Sequence, residues 1–226
     1  MNDWSPFLGL PLWVWLFVLP SVLALAAAFA GPAMARAMRP VWRALDAIYV
    51  AGGVVAALFL VTILGLIVAQ MIARWTGTAF PGSTNYAGYA MAGASFFALA
   101  YAMTRGAHIR VAIFLNINPF LSRWLDVAAL FVAAVTATYF ARFAVKATIL
   151  SEMLNDRTQG QDRLPDWLIS AFRLEFEGGT GWSYTPIWIP QLVMSAGAIL
   201  LAICLWDLLI RTLATRERQI VAEAME

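Results

Sequence analysis

Five long apolar runs, separated by short arginine-bearing or turn-forming segments, set the pattern of the chain. A helix needs about 20 mostly apolar residues to cross the hydrocarbon of a bilayer, and each run approaches or exceeds that length. The first, FLGLPLWVWLFVLPSVLALAAAFA, covers Phe7 to Ala30, with no charge between Asp3 and Arg36. The second covers Ala47 to Ala73, the third about Asn85 to Thr104, the fourth about Leu121 to Ala144 and the fifth about Ile187 to Leu205. Asn118 suits an N-cap and Pro119 a first helical position, and Thr185 and Pro186 open the fifth run in the same manner. Ala28, Phe29 and Ala30 resemble a signal-peptide cleavage site. The flank before that run carries Asp3 and no Lys or Arg, however, and the run is too long for such a segment. A retained helix, bent at Pro20, is predicted.

Composition agrees with this pattern. Of the 226 residues 62% are hydrophobic and only 12% charged, with mean hydropathy +0.75; soluble domains hold about twice that charge. Arginine sets the orientation, because Lys and Arg gather in the short cytoplasmic loops of membrane proteins. Arg36, Arg39 and Arg43 lie between runs one and two, Arg105, Arg110 and Arg123 between runs three and four, and Arg211, Arg216 and Arg218 after run five. The loop between runs two and three has only Arg74. Five spans follow, with the amino terminus periplasmic and the carboxyl terminus cytoplasmic. Trp42, Trp124 and Trp206 fall at the proposed cytoplasmic ends and Trp75, Trp182 and Trp188 at the outer ends, as an aromatic belt would have them.

Candidate chemistry is sparse. One histidine, His108, and one cysteine, Cys204, cannot make bis-histidine haem ligation or a metal cluster. No phosphate-cradling glycine loop is present, and no catalytic role is expected. Asp46, Asp126 and Asp207 lie at proposed cytoplasmic ends, where they read as solvated flanks. The middles of the runs lack the carboxylates of a self-sufficient transporter. Arg142 and Lys146 are four residues apart on one face of run four; they read either as partners of a carboxylate or lipid phosphate, or as side chains snorkelling to the outer interface. Gly52 with Ala56, and Gly88 with Ala92, open helix faces to a neighbour, within the chain or on a partner.

RGAHIRV, Arg105 to Val111, resembles the G-x-H-I-x-V-D signature of the small membrane subunit of tripartite ATP-independent periplasmic (TRAP) transporters, the DctQ-like proteins. Arg74 resembles the arginine closing that family's first core helix, and TPIWIPQLVMSAGAILLAI, Thr185 to Ile203, resembles its last helix. Ala112 stands where the signature has aspartate, and Asn85 falls near a family glutamate. The resemblance implies an all-α integral membrane protein of four core transmembrane helices plus one extra N-terminal span. Residues 1–42 would form that added helix and its linker, 43–213 the four-helix domain and 214–226 a cytoplasmic tail. An outer insertion at about 151–184 includes Arg163 to Tyr184, where Leu164, Trp167, Leu168, Ala171 and Phe172 follow helical spacing and predict an interfacial amphipathic helix.

The same resemblance implies a non-catalytic subunit of the bacterial inner membrane. It would brace the scaffold of a large DctM-like permease that takes up a small organic, anionic solute, delivered by a periplasmic binding protein. It implies no cofactor in this chain and sodium coupling in the large subunit; a bound phospholipid is a separate expectation. Gly52, Ala56, Gly88 and Ala92 are then expected to meet the permease. Arg105, His108 and Arg110 are expected to anchor run three and dock to the permease or a lipid headgroup. Two other readings compete: a tryptophan-rich five-helix ligand-binding membrane protein, and the membrane anchor of a redox complex.

Overall fold

Alanine, leucine and the other apolar residues of the runs can satisfy their backbone in lipid only as helices, and helices dominate the fold. The structure, a computed structural model, describes residues 6–105, 119–175 and 179–215. A two-residue hairpin, β1 (Pro6–Phe7) with β2 (Leu10–Pro11), precedes a π-helical turn, Val14–Val18. That turn passes into α1 (Leu19–Phe29) at Pro20, which has no N–H to donate one turn back. The predicted bend at Pro20 is thus a change of helical register. These pieces, 5 and 11 residues long, reach about 24 Å at α-helical rise.

Ala30 breaks the helix, and α2 (Gly31–Trp75) restarts at once with proline in its first turn. At 45 residues it is about 68 Å long, more than twice the hydrocarbon thickness. The expected linker around Arg36, Arg39 and Arg43 is therefore helix. Alanines 33, 35, 37 and 44 favour it, and Pro40 removes one bond without ending it. Next come α3 (Ser83–Thr104), α4 (Pro119–Met153), β3 (Arg163–Pro165), α5 (Asp166–Phe172), β4 (Trp182–Tyr184) and α6 (Trp188–Thr215). Among the described residues α2, α6 and the Trp124–Met153 part of α4 are long and apolar enough to cross a membrane. At 22 residues, about 33 Å, α3 has the length, though its start is polar. Val14–Phe29 is apolar and shorter.

α6 is the central helix. Every residue from Cys204 to Ile210 is buried, as befits a helix apolar on all sides. On one flank α4 runs antiparallel to it, fixed by Trp206 Nε1 donating to Thr138 Oγ1 at 3.0 Å and by the Thr148–Ser195 hydroxyl pair at 2.9 Å. On another, Gly52 of α2 and Gly197 of α6 let α2, α3 and α6 close together: a Cβ on Gly52 would meet Leu200 at 2.8 Å, and one on Gly197 would meet Phe96 at 2.7 Å. The N-terminal helix descends beside α6 until Gly31 lies against the carbonyl of Ala214. In lipid, such close approach and the dispersion it permits replace the hydrophobic effect as the main association force.

These pairings place Arg36, Arg39, Arg43, Arg105 and Arg211 at one end of the bundle and Arg74 at the other. Trp206 and Trp188 are buried, so neither belongs to the exposed belt predicted for them; Trp75, Trp124 and Trp182 are exposed.

Candidate functional site

At the arginine-rich end two helices, α2 and α6, meet in a polar clasp. Asp207, on α6 and 4% exposed, accepts from Tyr49 Oη at 3.1 Å and faces Arg211 Nη2 at 2.9 Å, one turn along. The same Nη2 lies 2.8 Å from Asp46 Oδ1 and donates to the carbonyl of Trp42 at 3.2 Å, with the guanidinium 5.3 Å from the Trp42 ring centre. Tyr49, Asp46 and Trp42 all sit on α2, so the clasp binds α2 to α6. A buried carboxylate demands a countercharge, and Arg211 provides it. Asp207 is therefore not the solvated flank its position predicts, whereas Asp46 remains about half exposed. The signal available in the sequence was the Asp207–Arg211 spacing of four, which puts both on one helix face.

The opposite end carries a second polar centre, built by the loop between α4 and α6. Asp162 is closed off from solvent. It accepts from Asn85 Nδ2, from Tyr89 Oη at 2.9 Å and from Thr158 Oγ1 at 3.1 Å. Burial pushes its carboxyl up, but the donors led by Asn85 outweigh that and hold it below the usual carboxylate value. Tyr86 straddles the adjoining strand, donating to the Arg163 carbonyl at 2.5 Å and accepting from its N–H at 2.9 Å. Gly82 makes this possible. Its φ is +78°, and a Cβ there would lie 2.6 Å from Asp162 Cα.

Within the expected insertion a paired ladder sets Arg163 opposite Tyr184 and Pro165 opposite Trp182. Its helix, α5, is 7 residues long and seats Ile169 on Trp188 and Ile189, leaving Trp167 and Phe172 exposed. Of the predicted spacing, Trp167, Leu168, Ala171 and Phe172 fall on a helix while Leu164 falls on β3, and Ile169 provides the inward anchor.

The other expected site residues separate. Gly52 and Ala56 are buried between α2 and its neighbours, so their small size serves packing inside the chain. Gly88 is exposed, and a Cβ on it would meet nothing within 4 Å; Ala92 is half-buried one turn on. Arg105 caps α3, its guanidinium 5.3 Å from the Tyr101 ring centre. His108 and Arg110 lie outside the described residues. Arg142 is half-buried between the two α4–α6 hydrogen-bonded pairs, about halfway along α6. It lines an apolar cavity of about 500 Å³ with Trp15, Leu16, Ile199 and Trp206. The snorkelling expected of it would require a place near the end of the span, which the antiparallel packing of α4 on α6 denies it. Lys146 is half-buried one turn further along. Cys204 is buried, its thiol donating to the Ala100 carbonyl at 3.4 Å. Among the described residues no three His, Cys, Asp or Glu side chains gather as a metal site.

Residues 63–215 match the family of tripartite ATP-independent periplasmic transporters, DctQ component. The chain belongs to the DctQ family. It is a small permease subunit of a TRAP transporter, a multi-pass inner-membrane protein of a system that pairs such a subunit with a large permease and a periplasmic binding protein. No curated protein and no solved structure matches the chain. The match starts inside α2, so α1 and the first part of α2 precede it.

Proposed function

We propose that this DctQ subunit braces the scaffold of the large permease through the outward face of α2 and α3, and moves no solute itself. The observation that carries the reading is the open face of α3 at Gly88, continued by exposed Met91 and Ser95. On α2, Val54, Leu58, Val61 and Leu64 are exposed as well. A helix of the permease can approach closely where no side chain intervenes. The clasp supports the same role, because Asp207, Arg211, Asp46 and Tyr49 are engaged with one another.

The arginine-rich end faces the cytoplasm and the Asp162 loop faces the periplasm. This orientation rests on the clustering of Arg36, Arg39, Arg43, Arg105 and Arg211. Arg105, with His108 and Arg110, docks the cytoplasmic end of α3 to the permease or to a lipid headgroup. Family membership supports the remainder: uptake of a small organic anion, delivered by the binding protein and driven by sodium in the large subunit. Gly88→Leu tests the bracing face, since it adds bulk where the chain itself has room. It should sharply reduce co-purification of the large subunit without changing how much of this chain inserts. Unchanged co-purification would place the interface elsewhere.

A further inference from the structure

A groove of about 470 Å³ lies between α4 and α6 beneath the end of α5. Val145, Ile149, Leu192 and Ile199 line its floor. It opens at the Arg74 end, where Arg173 meets Trp188, and stops near Ile199, about halfway along α6. Beyond that point Trp15 and Leu16 of the N-terminal helix share a second cavity with the same Val145 and Ile199. From Trp188 to Ile199 the helix rises about 16 Å, close to half of a hydrocarbon core of about 30 Å.

The mouth has what a phosphodiester needs. Arg173 Nε is 3.7 Å from Glu152 Oε1, beyond hydrogen-bonding distance, so the guanidinium keeps donors for another acceptor. Its position is held by the Trp188 ring, 5.8 Å away. Trp188 is 3% exposed, and its indole N–H has no hydrogen-bond partner among the described residues. Leu174 closes α5 with φ +59°, a left-handed position usually given to glycine, and leaves its side chain 81% exposed over the groove. An exposed leucine at a strained position is poorly suited to water and well suited to acyl chains.

We propose that this groove holds one phospholipid of the leaflet at the Arg74 end, with an acyl chain along Leu192 and Ile199 and its phosphate on Arg173. The depth argues for a lipid chain over a helix of a partner, because a spanning helix would need a groove crossing both leaflets. Charge argues likewise, since a guanidinium and an unpartnered N–H at headgroup level match phosphate oxygens.

Native mass spectrometry of the complex in mild detergent tests this. The wild type should retain one phospholipid per copy of this chain. Arg173→Gln should lower occupancy about tenfold, the equivalent of one charge-assisted bond, and Leu192→Trp should abolish it by filling the groove. A photoreactive residue in place of Ile149 should label phospholipid. Equal occupancy in wild type and Arg173→Gln, no retained lipid in the wild type, or an Ile149 adduct to the large permease or a second copy would each overturn the assignment. Arg173 lies at the exposed loop end, so its substitution keeps the test valid if Leu192→Trp fails to insert.

Discussion

Asp207 and Asp162 are both shut off from solvent, yet their oxygens are satisfied in different ways. Asp207 lies among apolar helices and is held by a cation, Arg211, with Tyr49 adding a neutral donor. Asp162 lies in the loop between spans and takes its described hydrogen bonds from neutral donors, Asn85, Tyr89 and Thr158. Surroundings account for the difference. Deep among helices the desolvation of a carboxylate is large, and only an opposite charge at bonding distance offsets it. Near the water interface three oriented dipoles are enough. The first arrangement ties two long helices together; the second ties a loop to the start of α3.

Arg211→Met should break the comparison most severely. It leaves Asp207 and Asp46 facing each other without a cation, and breaking a buried pair costs about 3–5 kcal/mol. Thermal unfolding in detergent would show it as a large fall in melting temperature. Replacing Asp207 and Arg211 together with leucine should be milder than Arg211→Met alone, because no uncompensated charge remains.

Asp162→Ala should have a smaller effect, about 1–3 kcal/mol, since it strands polar donors that water can partly reach. The same carboxylate makes the loop acid-sensitive. Its native proton affinity is below that of the unfolded chain, where an aspartate titrates near about 3.9. Its stabilisation is therefore fully present above that value and is lost as pH falls through the native one. The protection of residues 156–165 against hydrogen exchange, relative to the intrinsic rate at each pH, should fall on acidification below about pH 4 in the wild type, and Asp162→Asn should remove that dependence. Tyr49→Phe, which deletes one neutral donor to Asp207, should show the least, about 0.5–1.5 kcal/mol in the same melting assay.

The two centres were also unequally visible in the sequence. The start of α4 at Pro119 and the end of α3 at Thr104 follow from the length of the apolar runs, which local chemistry governs. Asn118 lies outside the described residues. α6 starts at Trp188, past the expected Thr185 and Pro186, and the Thr185 hydroxyl makes no capping bond among the described residues. Arg163 and Tyr184, the ends of a stretch inside the expected insertion, are paired across the β3–β4 ladder. Asp207 was misread because a charge near the end of a run resembles a flank. Its burial depends on Tyr49, 158 positions away, and on the N-terminal helix covering the end of α6. Gly52 and Gly88 look alike in sequence, and only the packing of α6 on α2 makes one internal and the other open. The helix joining Gly31 to Asp46 was hidden by its arginines and Pro40, which read as a loop.

In the proposed assembly α2 and α3 face the large permease. Photo-crosslinking within the assembled transporter tests it most directly, with a photoreactive residue at Met91 on α3 and, separately, at Phe143 on α4, both exposed. The Met91 probe should form an adduct with the large permease subunit, while the Phe143 probe labels lipid. A permease adduct from Phe143 and none from Met91 would contradict it.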